Sequence, residues 1–393
     1  MKNPNTRVPE LSRRRFIKLA GGGIVMAALP LASGCSSGMP PSAIAAWQPN
    51  DMLDLRRYVL AHALLAPNPH NRQPWLADLR RDNEITLTCD ETRLLPETDP
   101  FGRQIVVGCG AFIELAVMAA AQRGYRADVQ LFPDGEPAMD KLPGGSAIAR
   151  LVLKRDAAVA TNPLFAQISL RRTNKGAYDV ARVVPAAQWA QFIAAGSDFG
   201  LTAGAVTEVS GMQSVRDITR ASYEIETLTP RTWLESGRLI RIGPDAIEKY
   251  RDGISVISAM PRLLAAVGLF DPLDVPTRGS SSYRRMMERW AAFETGSGYL
   301  WIASPGNNRQ AQVNSGRVYV RAQLMATAAG ISLHPVSQAL QEFAEVAQPY
   351  QAIHRLLGLD STGSTLQMLA RAGYPIEPVG PSPRRDLDEL IVA

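Results

Sequence analysis

Ala66-Pro67-Asn68-Pro69-His70-Asn71-Arg72-Gln73-Pro74-Trp75 is the stretch whose reading decides the fold. Three prolines and two asparagines in ten residues forbid a continuing helix and favour a compact loop. Upstream, Met52, Leu55 and Val59 recur at helical spacing behind Asn50 and Asp51, either of which can cap. Downstream, Gln73-Pro74-Trp75 leads into an expected strand at 75–79. A loop between a helix and a strand can point carboxamides and backbone N–H groups at one spot. That suits holding the polar edge of a flat heterocycle. The plain alternative is an ordinary helix-to-strand turn.

Outward from this loop the chain reads as helices and strands without a βαβ rhythm. A second strand is expected at 84–89, then a helix at 102–123 that is apolar nearly all round and therefore buried, ended by Gly124. Strands follow near Val129 and Leu131 and at 148–154. A short helix is expected at 163–170, another from Pro185, and a strand at 201–208. Residues 210–293 read as mostly helical, broken at Pro230, Gly243-Pro244, Pro261 and Pro272. A strand at 298–303, a helix at 310–329 ended by Gly330, a strand at 365–369 and a terminal helix complete the chain. Gly110 to Gly124 and Gly316 to Gly330 are both 14-residue intervals, each spanning an Ala-rich helix with a strand behind it. This is a faint internal repeat.

Charge is concentrated at the start. The chain has 42 Lys+Arg against 37 Asp+Glu, yet residues 1–34 alone hold six basic residues and one acid. The remainder is neutral, which argues against nucleic acid as a partner. Ser12-Arg13-Arg14-Arg15-Phe16-Ile17-Lys18 resembles the twin-arginine export motif at every position. The apolar run Leu19–Ser33 is too short and Gly-rich for a spanning helix and reads as a signal core. Ala32-Ser33-Gly34-Cys35 resembles a lipobox, which implies a lipid anchor at Cys35; the alternative is a residue just past a peptidase site. The expected boundaries are a signal peptide at 1–35, a Ser/Pro/Ala-rich linker at 36–49, a first half at 50–160, and a second half at 161–393 carrying a helical insertion at 212–294.

Two further basic segments bear on function. Arg171-Arg172-Thr173-Asn174-Lys175 and Ser382-Pro383-Arg384-Arg385 supply planar, always-charged donors, which suit a phosphate dianion. Either could instead be a solvated turn. Together with the opening loop they resemble the A-P-S-x-x-N-x-Q-P-W, R-R-[ST]-x-[RK] and C-terminal Arg segments of the FMN-binding nitroreductase superfamily. Asn68 departs from the usual Ser, and Arg72 stands where a small polar residue is common. The segments at 298–304, 316–330, His334-Pro335 and 371–375 extend the resemblance to its two-repeat, Acg-like branch, over roughly residues 51–391.

The resemblance implies an α+β nitroreductase fold of two fused half-domains forming an intrachain pseudo-dimer. It implies FMN as cofactor, with Pro67, Asn68, Pro69, His70 and Asn71 lining the ring and Arg171, Arg172, Thr173, Lys175, Pro383, Arg384 and Arg385 at the phosphate side. The implied activity is an FMN-dependent oxidoreductase acting on a small aromatic, quinone or nitro acceptor. A flavin-binding or sequestering envelope protein without turnover is the alternative. Only one complete set of motifs exists, so a monomer with one FMN is expected. The expected location is the periplasm or cell envelope, reached through the twin-arginine translocase. No catalytic side chain stands out. Four histidines without metal spacing and no CxxC argue against a metal site. Cys89 and Cys109 read as buried small hydrophobes that could form one disulfide.

Overall fold

The computed structural model describes residues 38–51, 53–141 and 143–392. The twin-arginine segment and Cys35 lie outside the described residues. The segment expected to be a linker is instead folded. Pro41–Ile44 forms one helical turn (α1) and Ala45–Trp47 a 3-10 turn. Ala43 and Trp47 are buried because an apolar pair this close to a core removes more surface from water than a free tether would.

Leu55–Ala63 is α2, capped by Asp54 rather than by residues 50 or 51, its carboxylate accepting from the N–H groups of Arg56 and Arg57. After the Ala66–Trp75 loop come β1 (Trp75–Asp78) and β2 (Glu84–Cys89), then the buried helix α3 (Arg103–Gln122), then β3 (Tyr125–Leu131) and β4 (Ala147–Arg155). The segment at 163–167 is a 3-10 turn rather than an α-helix. The second half repeats the pattern with α4 (Ala186–Ala194) and β5 (Thr202–Val206). Then comes the inserted stretch: α5 (Val209–Leu228), α6 (Pro230–Arg238), β6 (Ile240–Ile242), α7 (Gly243–Tyr250), β7 (Ile254–Val256), α8 (Ala259–Ala266) and α9 (Ser281–Trp290). The pattern resumes with β8 (Gly298–Pro305), α10 (Arg309–Ala328), β9 (Ser332–Pro335), α11 (Ala347–Leu356) and β10 (Ser364–Gly373). The expected terminal helix is a single 3-10 turn, Leu387–Leu390, followed by β11 (Ile391–Val392).

The fold is α+β, and its two halves share one topology. The first sheet runs β11-β1-β2-β4-β3 and the second β5-β8-β10-β9. Setting β1, β2, β4 and β3 against β5, β8, β10 and β9 gives the same order and the same antiparallel pairings. The insertion therefore falls where the first half has only the short turn between β1 and β2. It is not wholly helical, since β6 and β7 pair in parallel. Pro261 does not break α8, because it lies in the first turn, where a missing N–H costs nothing.

The repeat is also visible in packing. A Cβ placed on Gly110 of α3 would collide with the carbonyl oxygen of Val313, and one placed on Gly316 of α10 with that of Val107. An offset of 206 residues carries Gly110 onto Gly316 and Val107 onto Val313, so the contact is reciprocal, as at a two-fold interface. The two helices approach backbone to backbone because both glycines lack a side chain. Helix α3 is long and apolar enough to cross a membrane, but it is buried between the sheet and α10. Gly124 and Gly330 sit at corresponding helix ends with φ of 74° and 67°, where only Gly is unstrained.

The C-terminus crosses between halves. β11 pairs in parallel with β1, Ala77 facing Ile391. This return carries Pro383, Arg384 and Arg385 from the end of the second half back onto the loop of the first. Cys89 and Cys109 are both free and buried, and the hydrogen bond with the Cys109 thiol, then burial, pushes the Cys89 thiol up.

Candidate functional site

The loop after α2 is held in a costly backbone conformation. His70, Asn71 and Gln73 have φ of 48°, 52° and 49°, a region that costs a non-Gly residue roughly 1–3 kcal/mol each. Side chains impose it. Asn68 Oδ1 accepts from the Gln73 N–H at 2.7 Å. Gln73 Oε1 accepts from the Arg385 N–H at 2.8 Å, and Gln73 Nε2 donates to Arg251 O at 2.8 Å. Asn71 Nδ2 donates to Pro383 O at 3.0 Å. Strain fixed in this way presents a rigid surface.

Arg72 extends the clamp to the inserted stretch. It donates to Asp252 at 3.0 Å, which also receives Arg93 and Arg241 at 3.1 and 2.7 Å. A small polar residue at position 72 could not reach. His70 Nε2 lies 3.0 Å from Ser236 Oγ on α6. Burial, with Lys175 and Arg72 nearby, pushes His70 down to about 4, so the imidazole is neutral at neutral pH.

Three arginines meet behind the loop. Arg171 is buried, donating from Nη2 to Leu65 O at 2.8 Å and from Nη1 to Gln323 at 3.2 Å, while its Nε has no partner. Gln323 Nε2 in turn donates to Thr173 Oγ1 at 3.2 Å. Arg172 donates to the carbonyls of Ser169 and Arg171, both at 2.8 Å. Arg384 donates to Leu64, Leu65 and Ala66 carbonyls, which close the C-terminal turn of α2, and to Asn71 Oδ1 at 2.8 Å. Trp47 lies across all three guanidinium groups, at 5.4, 4.2 and 4.9 Å.

No described carboxylate pairs with any of the three. Burial first, then Arg172 beside it, lowers Arg171 to about 10, and Arg384 is pushed well down by burial and by Arg171 and Arg172. A buried cationic cluster without a carboxylate is a place for an anion.

The structure thus brings Asn71, Arg171, Arg172, Thr173, Pro383 and Arg384 together. It also changes two expected roles. Arg384 and Asn71 are engaged with each other and with the helix end, so they build the site's wall rather than offering free donors. Arg385 is turned away, donating to Gln73 O at 3.3 Å and Glu389 O at 2.7 Å. It lies on the far side of the loop because β11 draws the chain past it. Pro67, Asn68 and Pro69 line the loop half-buried, and Asn68 and Pro69 rest on Gly108 of α3, where a Cβ would stand 3.2 Å from Asn68 Cβ.

Lys175 is exposed; desolvation by the protein around it, then Arg289 nearby, lowers it to about 8, opposed by Glu226. Glu226 of α5 is itself raised to about 7 by burial. Trp75 and Tyr178 pack in the core: the Trp75 ring lies 4.9 Å from that of Phe112, and Tyr178 lies under Arg371. Sequence reasoning missed Trp47 and Gln323. A Trp in a Ser/Pro/Ala-rich segment was the available signal for the first; Gln323 on a core helix gave none.

No protein-family model matches the chain. The chain is 28% identical over 345 residues, 85% of its length and 90% of the relative's, to "Putative NAD(P)H nitroreductase Rv3131" of Mycobacterium tuberculosis H37Rv. It is 36% identical over 81 residues, 21% of its length and 24% of the relative's, to "Putative NAD(P)H nitroreductase acg" of the same organism. Among solved structures, an FMN-dependent nitroreductase NfnB from Mycobacterium smegmatis in complex with NADPH matches at 18% identity and TM-score 0.35, over 57% of this chain and 94% of its own. An FMN- and NADPH-dependent NfnB from a Sphingopyxis strain matches at 16% and 0.37, over 59% and 99%. The sequence likenesses support kinship with the nitroreductase superfamily.

Proposed function

We propose that this chain is an FMN-dependent oxidoreductase of nitroreductase type. The observation that carries the reading is the arginine cluster at Arg171, Arg172 and Arg384, which lacks a carboxylate and stands beside the strained loop Pro67–Gln73. Arg171, Arg172 and Thr173 would hold the cofactor phosphate. The loop and Lys175 would flank the ring. The bound flavin supplies hydride or single-electron transfer, and the protein supplies position and charge. The residues fit such a group: Arg171 Nε is a buried donor without a partner, and no described carboxylate competes for the cluster.

The acceptor fits the class of small aromatic, quinone or nitro compounds. The names of the relatives carry NAD(P)H, so NADH and NADPH are the donors to assay first. Protein purified from its native membrane or periplasmic fraction should carry flavin absorbance and release FMN on denaturation. Colourless protein that binds no added FMN overturns the reading. The motif at 12–18 supports export by the twin-arginine route, and Cys35 a lipid anchor. Arg13→Lys/Arg14→Lys should leave the precursor in the cytoplasm; normal export of that variant defeats this part. The first half supplies the loop and the second the arginines, so one chain carries the parts of one complete site, which supports a monomer with one FMN per chain. Light scattering with flavin quantitation should return that ratio, and two flavins per chain would refute it.

A further inference from the structure

Arg171, Arg172 and Arg384 repel one another, and no described carboxylate relieves them. What faces them is an indole. Trp47 is 5% exposed, and its ring lies against all three guanidiniums, at 4.2–5.4 Å. Its Nε1 donates to Ser382 O at 2.7 Å, which fixes the ring plane beside the C-terminal return. The segment that carries it is tied at two further points. The Arg384 N–H donates to Ala43 O at 2.8 Å, and Ser42 Oγ donates to Glu248 of α7. Residues 41–47 therefore belong to the site, although they precede both half-domains in sequence.

We propose that Trp47 is a positioning and specificity-determining residue of the anion site: it holds the three guanidiniums in one array and closes their outer side, so that the site selects a phosphorylated ligand over its unphosphorylated form. This rests on the flavin reading for the identity of the ligand, not for the anion site itself. The physics is that of a cation–π contact in a desolvated setting, where a guanidinium stacks on indole more strongly than on any other ring. The array costs three desolvated charges, and the ring offsets part of that cost without neutralising them. The carbonyls fix where each guanidinium sits, the ring adds a common face, and a bound phosphate then meets preorganised donors. An aspartate or glutamate in place of Trp47 would relieve the repulsion better but would also compete with the anion. An indole leaves the net charge for the ligand.

The test compares wild type, Trp47→Ala and Trp47→Phe by three readouts. FMN and riboflavin affinities are measured by fluorescence titration, and thermal stabilisation of the flavin-free protein by inorganic phosphate is measured alongside. The alanine variant should lose roughly tenfold in FMN affinity with riboflavin unchanged, and phosphate should no longer raise its melting temperature. The phenylalanine variant should recover most of both. Equal weakening for the two flavins, or none, overturns the proposal in favour of a structural Trp47. If wild type binds neither flavin, the flavin reading fails while the phosphate arm still decides: stabilisation of wild type that Trp47→Phe keeps and Trp47→Ala loses supports the proposal. No stabilisation of wild type by phosphate overturns it. If Trp47→Ala does not fold, Trp47→Leu, which fills the space without a ring, replaces it in each comparison.

Discussion

Gly108 of α3 faces the loop Pro67–Gln73; 206 residues on, Asn314 of α10 lies with Asp198 and Phe199 on the rim of a concavity of about 530 Å3. These are equivalent places in the two halves, and they differ in charge. The first has three arginines and, among the described residues, no carboxylate paired with them. At the second, Arg317 and Arg321 meet Glu114 at 2.8 and 2.5 Å, Arg321 meets Asp198 at 3.2 Å, and Phe199 caps both guanidiniums. The positions that correspond to Arg317, Arg321 and Glu114 are Ala111, Leu115 and Val320, all apolar. One place leaves its cations for an outside anion. The other pairs its arginines with Glu114 from the opposite half and with Asp198, and has no Gln-Pro-Trp loop. A duplicated scaffold thus needs to build only one site, and the second place can serve stability.

The largest effect expected from breaking this comparison is at Glu114, which is 1% exposed and serves two arginines. Glu114→Ala leaves both without their buried partner, and removing one member of a buried pair costs about 3–5 kcal/mol. Chemical denaturation should show that loss while the flavin-to-protein ratio stays unchanged. A second flavin taken up by this variant would mean that the ion cluster, not the missing loop, blocks the mirror site.

Arg171→Ala acts on the other half. A charge-assisted hydrogen bond is worth about 1.5–3 kcal/mol, so FMN affinity should drop roughly ten- to a hundredfold, with riboflavin little affected. Arg384→Ala should weaken FMN as well, but it should also lower the melting temperature, because it strips donors from the Leu64, Leu65 and Ala66 carbonyls. A variant at 384 that loses affinity at full stability would restore Arg384 to direct phosphate contact.

Gly110→Ala and Gly316→Ala probe the shared axis. Each places a methyl group against a carbonyl of the opposite helix, an overpacking that typically costs about 1–3 kcal/mol. The reciprocal contact predicts equal losses. Unequal losses would show that one half yields more readily than the other.

The smallest effect concerns Glu226, on the inserted stretch that has no counterpart in the first half. Its folded value is raised to about 7 from 4.5 by burial, so the native state holds a proton that the unfolded chain has released. Stability should therefore fall as pH rises from about 4.5 to 7, and Glu226→Gln should flatten that slope. A slope unchanged in the glutamine variant would assign it to other groups.

The motifs at 66–75, 171–175 and 382–385, the two buried helices and the 14-residue glycine intervals were legible because each follows from local rules. Proline and asparagine break helices, Ala-rich runs between glycines make them, and paired arginines seek anions. The elements misread or missed include the helical turns at 41–47, the β6–β7 pair, the helix α11, and the strand β11 with the 3-10 turn before it in place of the expected terminal helix. Each is stable only through a distant partner, and propensity carries no information about distant partners.

By itself the sequence determined that there are two halves, that one of them holds a loop and the other most of the cations, and that residues 12–18 resemble an export motif. Tertiary structure alone decided the rest. The parallel pairing of β11 with β1 turned Arg385 away and committed Arg384 to the end of α2. Packing of residues 41–47 laid Trp47 over the arginines. The physical reason is the same in both cases: a side chain's donors go to whichever acceptors the fold brings within about 3 Å, and residues 335 positions apart in sequence, such as Trp47 and Ser382, become neighbours only when the chain has closed.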